Sequence, residues 1–127
     1  MAITPFYAGL LGLGLVLLSV RVIGQRRRAK AALGDKGDKL LQRAIRAHAN
    51  FVEYTPLALL LIALAEWQGS PGWLIHILAA TLVVGRALHA WGISQEPERF
   101  VFRQAGMMLT FGVLIVAALA CMAGSLL

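Results

Sequence analysis

Residues 43–56 read RAIRAHANFVEYTP and lead directly into the apolar run LALLLIALA at 57–65. That run alone is too short to cross a bilayer, because a spanning helix needs about 20 residues. The helix must therefore include the polar residues that precede the run. Residues 43–56 thus predict a membrane-spanning helix that carries charged side chains into the bilayer.

Composition indicates a small membrane protein. The chain has 127 residues, of which 59% are hydrophobic and 14% are charged, with a mean hydropathy of +0.74. Soluble domains usually contain about 25% charged residues. The length suits a single domain, residues 1–127.

The hydropathy pattern predicts four helices, at about 2–25, 38–67, 72–93 and 98–126. No strand-like alternation and no internal repeat competes with this assignment. We therefore expect an all-α, integral membrane four-helix bundle.

Positive charge is concentrated at one end of this predicted bundle. The net charge is +6, and nine of the twelve Lys and Arg lie between Arg21 and Arg46, next to apolar segments. This distribution is typical of a cytoplasmic loop on an anionic membrane, and it argues against nucleic acid as a partner. We expect a bacterial inner membrane location, with loops 1–2 and 3–4 in the cytoplasm and both termini on the opposite side.

The polar residues of the second helix fall on one side of it. At 100° per residue they occupy an arc of about 100°, with His48 on the opposite side. We call this set the polar arc: Arg43, Arg46, Asn50, Glu53 and Tyr54.

An ionised Glu53 within the bilayer costs at least a few kcal/mol unless it has a partner, and Arg46 or Arg86 could supply one. Two interpretations remain open. A buried Arg–Glu pair could simply fix helix packing, or the arc could line a polar pocket. The alternating charges and the Asn50 amide suit a zwitterionic ligand that has carboxylates and an amine.

Further candidates lie on the other helices. Arg86 and His89 are three residues apart and share one face of the third helix. Arg99 and Arg103 lie at the start of the fourth helix, where either could anchor at the interface or point inward. No metal-binding motif is present, so a metal site is unsupported.

The spacing Arg-x-x-Arg-x-x-x-Asn-x-x-Glu-Tyr-x-Pro at 43–56 resembles the signature of the MAPEG family, the membrane-associated proteins of eicosanoid and glutathione metabolism. The resemblance covers essentially the whole chain. It is greatest to short bacterial members related to microsomal glutathione transferase, which have stretches similar to GRALHAWG (85–92) and RQAGM (103–107).

The resemblance implies a homotrimer that binds glutathione between subunits near the cytoplasmic side, while lipophilic small-molecule substrates approach through the membrane lipids. It implies glutathione-binding roles for Arg46, Asn50, Glu53 and Tyr54, for Arg43 at the pocket rim, for Arg26 and Arg27, and for His89. It also implies a catalytic arginine, matched by Arg103 with Arg99 as the alternative. A tyrosine that many relatives carry is Ile93 here.

Three functions follow as hypotheses. The first is a glutathione-dependent transferase or peroxidase that acts on lipophilic electrophiles or hydroperoxides. The second is a lipid- or ligand-binding protein of the same fold without turnover. The third is a small transporter, which would be expected to show discontinuous helices or an internal repeat.

Overall fold

Four α-helices account for nearly the whole chain. The computed structural model describes residues 1–127 and contains α1 (Thr4–Ala29), α2 (Lys39–Trp67), α3 (Gly72–Ser94) and α4 (Phe100–Leu126). Each helix is long and apolar enough to cross a membrane. The predicted all-α, four-helix membrane architecture is therefore confirmed.

The first helix is longer than the sequence predicts. It ends at Ala29 rather than near 25, because the basic residues Arg26–Arg28 form its last turn. Positive side chains there interact favourably with the negative end of the helix dipole. The helix stops at Lys30, whose left-handed backbone (φ 53°) allows the chain to bond back to the last-turn carbonyls.

The connections fix the other helix boundaries. Asp38 caps α2 by accepting a hydrogen bond from the Leu41 N–H at 2.9 Å. This bond is the main reason why the pKa of Asp38 lies below its ordinary value. The fourth helix begins at Phe100 rather than 98, because the Arg99 N–H donates to the Gly92 carbonyl and holds the connection 95–99 against α3.

Glu66, near the end of α2, joins that helix to the start of α1. Its side chain accepts hydrogen bonds from the backbone N–H groups of Ile3 and Thr4. These N–H groups have no partner within α1, so the carboxylate satisfies the helix N-terminus.

Glycines bring α3 and α4 into close contact. A Cβ added to Gly106 would lie 2.5 Å from the Gly85 carbonyl oxygen and 2.5 Å from the His89 backbone nitrogen. A Cβ added to Gly92 would lie 2.5 Å from the Arg103 backbone nitrogen. Small residues allow such backbone approach between membrane helices. This contact places the start of α4 beside the end of α3.

The exterior of the bundle is apolar, as expected of a protein surrounded by lipid. Leu13, Leu17, Leu60 and Ile115 are all more than half exposed. The interior is filled by residues such as Ile62, Leu82 and Val113.

Candidate functional site

The polar arc of α2 is divided between the interior and the exterior of the bundle. The Asn50 side-chain oxygen accepts a hydrogen bond from Arg86, and the Tyr54 ring lies edge-on to an aromatic ring of α4. The side chains of Arg46 and Glu53 lie outside, where 58% and 52% of their surface is exposed. One edge of the arc thus belongs to the core, and the other edge faces outward.

Arg86 is a buried cation, only 2% exposed, that is satisfied by neutral groups. Its Nε donates to Thr110 Oγ1 at 3.0 Å, its Nη1 to the Asn50 side chain, and its Nη2 to Met107 Sδ at 3.3 Å. The guanidinium carbon lies 5.7 Å from the centroid of the Tyr54 ring, within cation–π range. No carboxylate lies within ion-pair distance of Arg86.

Glu53 has Arg46 as its nearest cation. The two side chains approach to 4.0 Å between Nη1 and Oε1, which is an open arrangement with both groups accessible. Arg86, the other partner considered for Glu53, bonds to Asn50 instead. A sealed Arg–Glu pair that serves only helix packing is therefore not what the structure contains.

The outward position of Glu53 has an energetic consequence. Glu53 lies about 10 Å further along α2 than Arg46, at 1.5 Å per residue, and a bilayer core is about 30 Å thick. A carboxylate that faces lipid at such depth costs at least a few kcal/mol. The outer face around Arg46 and Glu53 therefore requires a polar ligand or a covering protein surface.

A polar cavity of about 320 Å³ lies near this face. It is at the end of the bundle that carries the connections 30–38 and 95–99, which we call the basic end. Four cations and two carboxylates line it, so it has an excess of positive charge that suits an anionic ligand. The lining residues are Lys39, Gln42, Arg43, Arg46, Ile93, Glu96, Glu98 and Arg103.

Glu98 links two arginines of the polar cavity. Its Oε2 lies 3.0 Å from Arg43 Nη1, and both of its oxygens lie 3.0 Å from Arg103 Nη1. Arg43 also pairs with Glu96 and donates to the Ile93 carbonyl. Partial burial opposes ionisation of Glu98, but the hydrogen bond from Arg43 and the attraction of Arg103 keep its pKa below the ordinary value. Arg43 and Arg103 are thus already paired with an ionised carboxylate of the protein itself.

The remaining arginine candidates differ in position. Arg103 lines the polar cavity, whereas Arg99 is exposed at the start of α4 and does not. Arg26 donates to the Gly34 carbonyl at 2.7 Å and so braces the connection that follows α1. Arg27 is exposed. Within one chain, neither Arg26 nor Arg27 lines the cavity.

His89 is 2% exposed and packs against Gly106 where α3 meets α4. It does not line the polar cavity.

Of the residues predicted from the sequence to form the site, the structure brings Arg43, Arg46 and Arg103 together in the cavity. Asn50 and Glu53 follow Arg46 along the same helix, by about one and two turns.

Four lining residues were not singled out from the sequence, namely Lys39, Gln42, Glu96 and Glu98. A signal for the two glutamates was present, because QEPER at 95–99 places acids beside a basic residue in a short connection. Their partner was not visible, since Arg43 is 55 residues away from Glu98 in the chain.

Comparisons with known proteins agree with this architecture. The MAPEG family model matches residues 4–123. Two relatives, from Escherichia coli (strain K12) and Escherichia coli O6:H1 (strain CFT073), both carry the name Inner membrane protein YecN. Each is 36% identical over 118 residues, which cover 93% of this chain and 88% of the relative. The match over nearly all of the four helices shows that the chain belongs to the MAPEG family.

Proposed function

We propose that this integral inner membrane protein binds glutathione, forms its thiolate, and uses it against lipophilic electrophiles or lipid hydroperoxides. The observation that carries the proposal is the positively charged cavity at the basic end, which adjoins the outward-facing Arg46 and Glu53. Membership of the MAPEG family and the name of the E. coli relatives support the proposed class and location. The basic connections are then cytoplasmic and both termini face the opposite side, according to the positive-inside rule.

The charges around the cavity complement those of glutathione, which has two carboxylates and one ammonium. Guanidinium groups such as Arg46, with Arg43 at the rim, pair with carboxylates in a bidentate manner. Glu53 would accept hydrogen bonds from the ammonium, while Asn50 and Tyr54 complete the set on the same arc. A volume of about 320 Å³ is at the lower end of the range for ligand pockets, about 300–1,000 Å³.

Arg103 is the proposed catalytic residue, and Arg99 is the alternative. A fixed cation lowers the pKa of a nearby thiol because it stabilises the charged form. Ile93 lines the cavity where many relatives carry a tyrosine, and it offers no hydroxyl to the sulfur. A guanidinium is then the group that stabilises the thiolate, and Arg103 is the one of the two that lines the cavity.

The chemistry needs no further cofactor. In the transferase reaction the thiolate forms a carbon–sulfur bond, and the leaving group departs with the bonding electrons. In the peroxidase reaction the thiolate attacks the terminal hydroperoxide oxygen, and the O–O bond breaks to give a glutathione sulfenic acid and an alkoxide, which takes up a proton from water to form the alcohol. A second glutathione reduces that acid, which yields glutathione disulfide and water.

We propose that the site is completed in a homotrimer. A neighbouring subunit on the outer face of α2 would shield Arg46 and Glu53 from lipid, which removes the cost of exposing them. Arg26 and Arg27 do not line the cavity of their own chain, so they would contact glutathione from the neighbour. His89 does not line the cavity of its own chain, and its place in the proposed set rests on the family resemblance alone.

A second candidate is a ligand-binding protein without turnover. It is favoured by one specific contact, because Arg103 is already engaged by both oxygens of Glu98. A cation held in this way is less available to a thiol.

Conjugation and peroxidase assays on the purified protein, with a panel of lipophilic electrophiles and hydroperoxides, separate these candidates. We expect turnover in the wild type and in Arg99→Gln, and a loss of about a hundredfold in Arg103→Gln, as for other preorganised charges. Glutathione binding without turnover in the wild type would favour the second candidate. Absence of both would exclude the enzyme and would exclude glutathione as the ligand of a binding protein.

A further inference from the structure

A second, larger cavity lies between α1 and α3 and shares no lining residue with the polar cavity. Its volume is about 550 Å³, and nine of its fourteen lining residues are hydrophobic. Leu10, Leu17, Val83 and Ala87 are among them. We call it the α1–α3 groove.

One end of the α1–α3 groove is polar. Arg21, Ser94 and Gln95 line it there, beside Trp91, whose side chain is about half exposed. Arg21 donates to the Ser94 hydroxyl and, at 3.4 Å, to the Ser94 carbonyl. These bonds use two of its five N–H groups, so part of its donor capacity stays free.

Arg21 also lacks a counter-ion. The arginines Arg28, Arg43, Arg46 and Arg103 each have a carboxylate within 4.0 Å, but Arg21 has none. Ser94 is the last residue of α3, and the C-terminal end of a helix attracts cations. This attraction explains why Arg21 points toward α3. The contact with Ser94 does not neutralise a permanent charge at the edge of an apolar groove.

The length of the groove corresponds to one leaflet of a bilayer. From Arg21 to Leu10 it extends about 16 Å along α1, at 1.5 Å per residue. Half of a hydrocarbon core of about 30 Å has nearly the same length. Trp91 at the polar end fits the depth of the lipid headgroups, where tryptophan is enriched.

A second copy of this chain is a poorer occupant for the groove. Of the carboxylates at the basic end, Asp38 pairs with Arg28, and Glu96 and Glu98 pair with Arg43. Asp35, in the connection 30–38, has no ion pair, but it follows the end of α1 at Ala29, about 12 Å along the helix from Arg21. In a neighbour of the same membrane orientation Asp35 therefore lies beyond the level of Arg21. A lipid phosphate would supply the missing charge, and its acyl chain would supply the apolar contact.

We propose that the α1–α3 groove binds one anionic phospholipid of the leaflet at the basic end. The headgroup phosphate contacts Arg21, and one acyl chain lies between α1 and α3 as far as Leu10. This site is independent of the polar cavity and of the proposed glutathione chemistry.

Native mass spectrometry of the detergent-solubilised protein tests the proposal, with dioleoyl phosphatidylglycerol, dioleoyl phosphatidylcholine and oleate as probes. We expect a preference of about fivefold for phosphatidylglycerol over phosphatidylcholine, the effect of one cation near an anionic surface. Arg21→Gln should abolish the preference. Arg28→Gln removes an equal charge outside the groove and should retain it.

A second variant tests the shape of the groove without changing its charge. Ala87 is exposed and lines the groove, so Ala87→Phe should occupy it and weaken the binding of both phospholipids. If Arg21→Gln does not fold, Ala87→Phe still tests whether the phospholipids bind in the α1–α3 groove. Equal binding of the two phospholipids to the wild type would overturn the proposal, as would phosphatidylglycerol binding that survives both variants. Arg21-dependent binding of oleate alone would overturn it in favour of a fatty-acid site.

Discussion

Arg86 on α3 donates a hydrogen bond to the side-chain oxygen of Asn50 on α2, between residues 36 positions apart in the chain. This bond anchors the interior edge of the polar arc to the neighbouring helix. It also fixes the rotation of α2 that leaves Arg46 and Glu53 on the outside. The same orientation of α2 thus places Asn50 against the buried Arg86 and exposes the proposed ligand site.

Replacing the acceptor should therefore destabilise the bundle. Asn50→Leu would leave a buried guanidinium without its side-chain partner, and we expect a loss of about 1.5–3 kcal/mol, as for hydrogen bonds to charged groups. Asn50→Asp keeps an oxygen in place and adds a counter-charge, so it should be at least as stable as the wild type. Thermal unfolding in detergent measures both. A stable Asn50→Leu would show that Arg86 does not depend on this bond.

The close contact of α3 and α4 gives a prediction with a matched control on the same helix. A Cβ at Gly106 would meet the backbone of α3 at 2.5 Å, whereas one at Gly112 would meet nothing within 4 Å. Gly106→Ala should lower stability by about 1–3 kcal/mol through overpacking. Gly112→Ala should leave it unchanged or raise it by up to about 1 kcal/mol, through helix propensity. Similar thermal midpoints for the two variants would contradict the glycine-mediated packing.

The sequence predicted the four helices and the polar arc, because hydropathy and a rotation of 100° per residue are local properties. It did not predict how the arc would be divided. Arg43 and Asn50 point inward and Arg46 and Glu53 outward, and this depends on where α3 and α4 lie.

The sequence does not predict the role of Glu98, for the same reason. The ion pair between Arg43 and Glu98 joins residues 55 positions apart, so no local pattern reveals it. The end of α1 was misplaced for a different reason. Hydropathy falls at Arg26–Arg28, although arginine is a good helix former and the helix continues through it.

Removal of the Glu98 carboxylate should strengthen the binding of anionic ligands. Glu98→Gln would release Arg103 and leave Arg43 paired with Glu96 alone. The loss of a partly exposed ion pair of about 0.5–1 kcal/mol corresponds to a gain of about two- to fivefold in glutathione affinity. Glu96→Gln leaves both Arg43 and Arg103 paired with Glu98, so its effect should be smaller. Calorimetry in detergent measures the affinities. A weaker affinity in Glu98→Gln would mean that Glu98 organises the site rather than competing for it.

The same carboxylate predicts a dependence of stability on pH. The pKa of Glu98 is lower in the folded protein than its ordinary value of 4.5, so its ion pairs stabilise the fold fully above that pH. The stabilisation should be lost as the pH falls below 4.5 and through the folded-state pKa. The thermal midpoint of the wild type minus that of Glu98→Gln should then shrink on acidification. A difference that grows below pH 4.5 would be contrary to this assignment.

The ultraviolet difference absorbance of the thiolate, recorded as glutathione binds to the purified protein, shows whether Arg103 activates the thiol. We predict a thiolate signal in the wild type and in Arg99→Gln. Arg103→Gln should still bind glutathione in calorimetry but should give no thiolate signal. A full signal in Arg103→Gln, or none in the wild type, would contradict the account.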